Sequence, residues 1–435
     1  MPTFDTFCAV TGWMHMWREE EFIEAISGET QGECLWGKLQ VESDDECDGR
    51  EPGHDTMNAG PLGVVPSRTV QRGLKYTDED VDGTSRYVLV TPCERSADGR
   101  LCPRILWGRR PVEDLDKEEV AYLFNVYPSS EGPEMGIYNQ HQPNGEIIEF
   151  TGVGRSFGSY LITFCSFLIL QHLTPGLEAR TFCKLALKAN GGFDVFPEGV
   201  DYGPVSRTIM QDVMWADIAE IHDNDSDEDG DYDNYRERRW LKLLTEKGKT
   251  DEEILKEAWM GKGNMWIFKH PGIFPIEEAV KLNERSPPPA NLSNTSSPLE
   301  ASSKILGFPT ELIEMILGHL LPEDALRFMG STRRLYRSFR AGLDRYTYTW
   351  IKQERPWYLP VGPIDCQDGD EEVVRWQQGW KDLMGDDIQT SEGGDLPWLA
   401  YHFACKRSPN MRSRERIWGI VLQIKVLLEE ANLYP

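Results

Sequence analysis

Residues 284–303 read ERSPPPANLSNTSSPLEASS, and no part of this run can enter a core. Proline removes backbone donors, Ser and Asn compete for backbone hydrogen bonds, and no apolar residue recurs with a helical or strand period. A chain of 435 residues is already long for one core, since domains usually run to ~100–200 residues. The polar run is therefore expected to act as a flexible linker, with a mixed N-terminal region over 1–283 on one side and everything from 304 onward on the other.

Charge narrows the partners. The formal balance is −26, and part of it comes from two acid runs without a base, at 42–48 and 223–233. Nucleic-acid binding draws on counterions released by Lys and Arg, and anionic membranes attract basic surfaces, so neither partner is expected. The start, MPTFDTFCAVTGWMHMWREEEF, lacks the basic leader and apolar core of a signal peptide, which predicts a cytoplasmic or nuclear location. The most apolar window, YLITFCSFLIL at 160–170, is about half the ~20 residues that cross a bilayer and reads as a buried helix. Nine cysteines, scattered and without a C-x-x-C pair, predict reduced thiols.

Periodicity gives an α+β chain. SRYVLVTP (85–92) and NGEIIEFTGV (144–153) read as strands, while DKEEVAYLFNVY (116–127), LEARTFCKLALKAN (177–190) and YRERRWLKLLTEKG (235–248) read as helices. After the linker helices dominate, ending in a segment whose Ile417, Ile420, Val421, Ile424 and Leu428 recur at helical spacing. No repeat of fixed period occurs, which excludes propellers and solenoid arrays.

Two short patterns invite chemistry and are better explained without it. GRSFG at 154–158 fits the G-x-S-x-G elbow and would make Ser156 a hydrolase nucleophile. The acid and His that must follow are not evident, His172 and His222 being the main downstream histidines before the linker, and no oxyanion-hole segment is seen. A glycine-rich turn is expected there. Asp225, Asp227, Asp229 and Gly230 fall at four positions of a calcium loop, but Arg236 stands where a bidentate Glu must close the shell. A solvated acidic loop over 222–235 is expected instead, and no catalytic residue, metal or cofactor is assigned.

The stretch GFPTELIEMILGHLLPEDALRF (307–328) is different. Pro309 suits the first turn of a helix, and Leu312, Ile313, Met315, Ile316, Leu317 and Leu320 cover more than one stripe of it. Pro322 starts a second helix with Asp324 in its first turn and Leu326, Phe328 and Met329 facing inward. Ser331 or Thr332 then caps a third helix carrying Leu335, Phe339 and Leu343. So small a unit buries little surface alone and should dock onto something.

These residues resemble the F-box. The family pattern corresponds here to Phe308-Pro309-Thr310-Glu311-Leu312, Ile316-Leu317 with Leu320, Asp324-Ala325-Leu326, and Thr332-Arg333-Arg334-Leu335, with Phe308, Ala325 and Thr332 departing from the usual Leu, Leu and Cys. The tail PWLAYHFACKRSPNMRSRERIWGI looks like that of fungal F-box proteins with a large N-terminal region and a short Trp-rich end. Those relatives often open on Cys-x-x-Cys-Gly, whereas this chain has Cys8-Ala9-Val10-Thr11-Gly12, so no zinc site is carried over. The resemblance implies an F-box over 304–345 and a helical C-terminal region over 346–435. It implies docking of a Skp-type adaptor, and through it a cullin and RING ubiquitin ligase, by Phe308, Pro309, Glu311, Leu312, Ile316, Leu317, Leu320, Leu326 and Leu335. A protein substrate, unnamed by the sequence, would be held by 1–283. The alternatives are a serine hydrolase at Ser156 and an F-box-like scaffold that recruits no ligase. Arg327, Arg333, Arg334, Arg337 and Arg340 also give the box a basic sign that would suit an acidic adaptor.

Overall fold

The computed structural model describes residues 8–11, 86–97, 99–104, 112–128, 138–141, 145, 147–150, 159–189, 200–203, 249–261, 264–285, 308–331, 333–362, 371–388 and 396–434. Ser156 with its GRSFG turn, the acidic run 222–235 with Arg236, the expected helix at 235–248 and the polar run from 286 to 303 lie outside them. The chain divides into two compact units, one of Met1–Pro271 with Ser413–Pro435, the other of Gly272–Arg412. The α+β class holds.

The first unit is built on an antiparallel sheet. Its order is β2 (Leu101–Pro103), β1 (Tyr87–Arg95), β3 (Glu119–Pro128), β4 (Tyr138–His141), β5 (Ile147–Phe150), with β6 (Tyr160–Thr163) also paired to β1. β1 is the central strand, buried from Tyr87 to Cys93 on both faces, which is why YVLV is a continuous apolar run instead of an alternating one. Tyr87, Leu89, Cys93, Leu123, Val126 and Leu161 form one face of the core. On the other, Tyr122 and Phe124 meet Phe167 edge-on at 4.9 and 5.5 Å.

Pro92 inside a central strand needs a reason, because it has no N–H to give. Its carbonyl accepts from Arg104 N at 2.7 Å, so its nitrogen faces that same side of β1. There β6 pairs only with Tyr87–Val90 and β2 only from Cys93 onward, so the missing donor falls in the gap between two partners.

Two expected helices are corrected. EVAYLFNVYP, expected as a helix within 116–127, is β3, and only the short 3-10 turn Val112–Lys117 precedes it. Its register runs Leu89↔Leu123 to Cys93↔Glu119 and then slips by one residue before Tyr87↔Val126. Asn125, at φ 57°, takes up that extra residue in a left-handed bulge that Asn tolerates. A short run of β-branched and aromatic residues is ambiguous by period alone, and pairing with β1 decides it. Likewise YLITFCSFLIL is not one helix. Its first four residues are β6, and α1 (Phe164–Leu173) starts only at Phe164, with every residue from Phe164 to Leu170 buried. By contrast α2 (Ala179–Ala189) and the strand β5 fall where expected.

α3 (Asp251–Met260) opens on a capping box: Glu253 N donates to Thr250 Oγ1 at 3.3 Å and Thr250 N to Glu253 Oε2 at 2.8 Å. The C-terminal residues complete this unit. Ser413 Oγ donates to Ile267 O, the fully buried Arg414 donates through Nη1 to Pro271 O at 3.1 Å, and Arg416 donates to Tyr202 O at 3.1 Å and Thr11 O at 2.7 Å.

The second unit is helical: α4 (Ile276–Arg285), α5 (Thr310–Gly318), α6 (Pro322–Gly330), α7 (Arg333–Glu354), α8 (Glu371–Met384), α9 (Trp398–Arg407) and the start of α10 (Pro409–Glu430). The division expected at the linker is therefore corrected. α4 precedes the polar run in sequence, yet Ile276 and Ala279 fill a core with Ile351, Trp376, Trp380, Trp398 and Tyr401. α7 also continues past 345, where the box was expected to end, as far as Glu354.

Candidate docking surface

α5 begins after Pro309, whose φ of −53° and ψ of 144° bring the chain into the helix at its N-cap. From there the sequence TELIEMIL distributes apolar side chains around most of the helix, and only one side of it finds a core. Ile313 and Leu317, one turn apart, are buried with Ala325 and Met329 of α6 and Leu335, Phe339 and Leu343 of α7. On the other side Leu312 is 42% exposed, Met315 56% and Ile316 36%, with Phe308 at 47% just before the helix and Leu321 at 53% just after it. Glu311 and Glu314 stand exposed on the same helix, so the apolar face has one acidic edge.

The expected docking residues separate into two sets. Phe308, Pro309, Glu311, Leu312 and Ile316 are exposed. Leu317 and Leu335, expected at the docking surface, fill the hairpin core and are not presented outward. Leu320 and Leu326 are partly buried against the same core. Met315, omitted from the expected set, belongs to the exposed one. Helical spacing alone identified the apolar residues, and their division needed the position of α6 and α7.

α6 starts as expected, with Pro322 at its first turn. Arg327 is spent locally on Asp324 at 2.9 Å, so it adds little to the basic sign expected of the box. The side chains of Arg333, Arg334, Arg337 and Arg340 lie outside the described residues, as does Thr332.

What the sequence left unread is how α9 braces this hairpin. Leu399 of α9 packs on the hairpin core, and the Tyr346 hydroxyl donates to Leu320 O in the turn between α5 and α6. Glu323, in the first turn of α6, receives Lys406 Nζ at 2.6 Å and His402 Nε2 at 3.2 Å on one carboxylate oxygen. Burial alone would raise the Glu323 carboxyl, but the hydrogen bonds from Lys406, its own backbone N–H and His402 together outweigh it and hold the group down to about 2. His402 moves the other way from a simple ion pair. Burial outweighs the pull of Glu323 and keeps the imidazole below its ordinary value, so Lys406 is the counter-ion and neutral His402 a hydrogen-bond donor. Asp324 was the acid legible as a helix-start signal; Glu323 beside it finds its partners about eighty residues away.

In the first unit Cys165 Sγ lies 3.6 Å and 3.8 Å from the two ring nitrogens of His270. Near-equal distances set the sulfur against the ring instead of along one lone pair, and Cys165 is buried, so this is a packing contact. Cys8 accepts Thr11 N at 3.3 Å and Thr163 N at 3.4 Å, and burial pushes its thiol up. None of the six described cysteines is in a disulfide, and no group of three or more metal-ligating side chains occurs among the described residues. No described helix is long and apolar enough to cross a membrane. Compared with family models, with curated proteins and with solved structures, the chain finds no match in any of the three.

Proposed function

We propose that this chain is an F-box substrate receptor: α5 to α7 dock a Skp-type adaptor, and through it a cullin and RING ubiquitin ligase, while the first unit holds a protein substrate. The chain itself does no chemistry. It raises the local concentration of an acceptor lysine near a ubiquitin-loaded enzyme. The observation that carries the reading is the exposed face of Leu312, Met315 and Ile316, with Phe308 just before it, on a helix whose other side, Ile313 and Leu317, is already committed to a core. Moving each of those side chains from partial exposure to burial contributes roughly 1 kcal/mol. Together with the Phe-Pro-x-Glu-Leu start, this favours a partner with an apolar groove.

The test is calorimetric titration of the purified full-length chain with a purified Skp-type adaptor. Saturable binding that Leu312→Asp with Ile316→Asp abolishes, while the circular dichroism spectrum is unchanged, supports the reading. Equal affinity of wild type and double variant would falsify it.

A further inference from the structure

We propose, building on the docking role of α5, that α9 clamps the docking hairpin through Glu323 and that adaptor capture weakens when His402 takes up a proton. Glu323 on α6 is one end of the clamp, and His402 and Lys406, one turn apart on α9, are the other. An ionised carboxylate only accepts, so His402 donates through Nε2–H and its Nδ1 carries the lone pair. The His402 side chain is 3% exposed, and Nδ1 has no hydrogen-bond partner among the described residues. Trp350 meets the imidazole edge-on at 5.2 Å, and Tyr358 lies 6.1 Å away.

The charged groups around this ring are Glu323 from α6, Lys406 from α9 and Arg355 just after α7. A proton on Nδ1 would therefore enter an apolar enclosure with two cations nearby and one carboxylate already engaged by Lys406. Burial keeps the ring neutral near neutrality. Acidification forces either a buried charge without an acceptor or the withdrawal of α9 from α6.

The effect reaches α5 through shared packing. Ile313 and Leu317 of α5 rest on Ala325 and Met329 of α6, and Leu399 of α9 packs on the same cluster. Loosening α6 from α9 thus loosens the base on which Leu312 and Ile316 are presented. Glu323, His402 and Lys406 are positioning residues that touch no adaptor.

The experiment uses the full-length chain as wild type, His402→Gln, Glu323→Ala and Lys406→Gln. Adaptor affinity is measured by calorimetry at about pH 7.5 and about pH 5.5, a window that spans imidazole titration. Amide exchange of residues 310–330 is followed without adaptor. The wild type should bind more weakly at the lower pH, and for His402→Gln that pH dependence should vanish whatever its absolute affinity. Glu323→Ala should bind about tenfold more weakly at both pH values, with faster exchange over 310–330. Lys406→Gln removes an exposed cation without touching the core and should raise exchange in the same direction. A His402→Gln protein that keeps the full pH dependence overturns the proposal, as does unchanged exchange in both Glu323→Ala and Lys406→Gln. If the wild type binds no adaptor at either pH, the docking reading fails by itself, and the exchange arms still decide for or against the clamp.

Discussion

Asp344 on α7 accepts the backbone N–H of Leu399, at the start of α9, at 2.8 Å. Pro397, the residue at the N-cap of α9, makes no side-chain cap bond, so the carboxylate of another helix does what a capping Ser or Asp would do locally. The helix that braces the α5–α6 hairpin is thus started by α7, the helix that follows that hairpin.

That bond predicts a measurable loss. Asp344→Ala should destabilise the helical unit by about 0.5–2 kcal/mol, the usual cost of a lost cap, and Asp344→Asn by less, because an amide oxygen still accepts. Denaturant unfolding monitored by tryptophan fluorescence checks this, with a lower midpoint at unchanged slope as the expected outcome.

Neighbouring positions in α5 should behave oppositely. Leu317→Ala empties a core position and should cost about 2–5 kcal/mol. Ile316→Ala, at a side chain 36% exposed, should stay within about 1 kcal/mol of wild type yet weaken adaptor binding. Thermal unfolding and calorimetry on the same two proteins separate the effects. Equal stability losses would show that Ile316 is a core residue and remove it from the docking face.

Acid should unfold the helical unit along a defined path. The folded Glu323 carboxyl, held at about 2, lies below its ordinary 4.5, so between these values the unfolded state binds the extra proton. Its contribution, of the order of 2–3 kcal/mol, is complete above the ordinary value and lost as pH falls toward the folded one. His402 adds a loss that begins higher, as pH falls below 6.5, because its folded value is also depressed. Glu323→Gln should flatten the lower limb of a stability–pH curve and leave the alkaline side parallel to wild type.

Truncation before Ser413 should damage the first unit, although the deletion lies at the far end of the chain. Arg414 is buried and donates to Pro271 O, Arg416 donates to Tyr202 O and Thr11 O, and Ile417, Ile420, Val421, Ile424 and Leu428 are buried along α10. Arg416→Ala alone leaves two carbonyls without that donor and should cost about 1–3 kcal/mol. Limited proteolysis is the measurement: cleavage within the sheet strands should accelerate in the truncated protein and, to a smaller extent, in Arg416→Ala.

Strand β3 lies where a local apolar period is ambiguous. EVAYLFNVYP contains enough apolar residues at three- and four-residue spacing to look helical, and only the ladder with β1 distinguishes the two periods. The same limit explains the first unit's C-terminal segment. The apolar period of α10 was legible, but nothing in a period says which core it fills.

The sequence by itself determined the class, the helical character after residue 304, and the apolar excess and proline starts of the hairpin, because helix punctuation and hydrophobic period act within a turn or two of the residues that carry them. Only the tertiary structure decided that α4 joins the helical core from the other side of the polar run, that Leu317 faces inward while Leu312 and Ile316 face outward, and that Glu323 meets His402 and Lys406. Those outcomes depend on which apolar surfaces cover one another and which buried polar groups then find partners, and both are properties of packing between segments far apart in the chain.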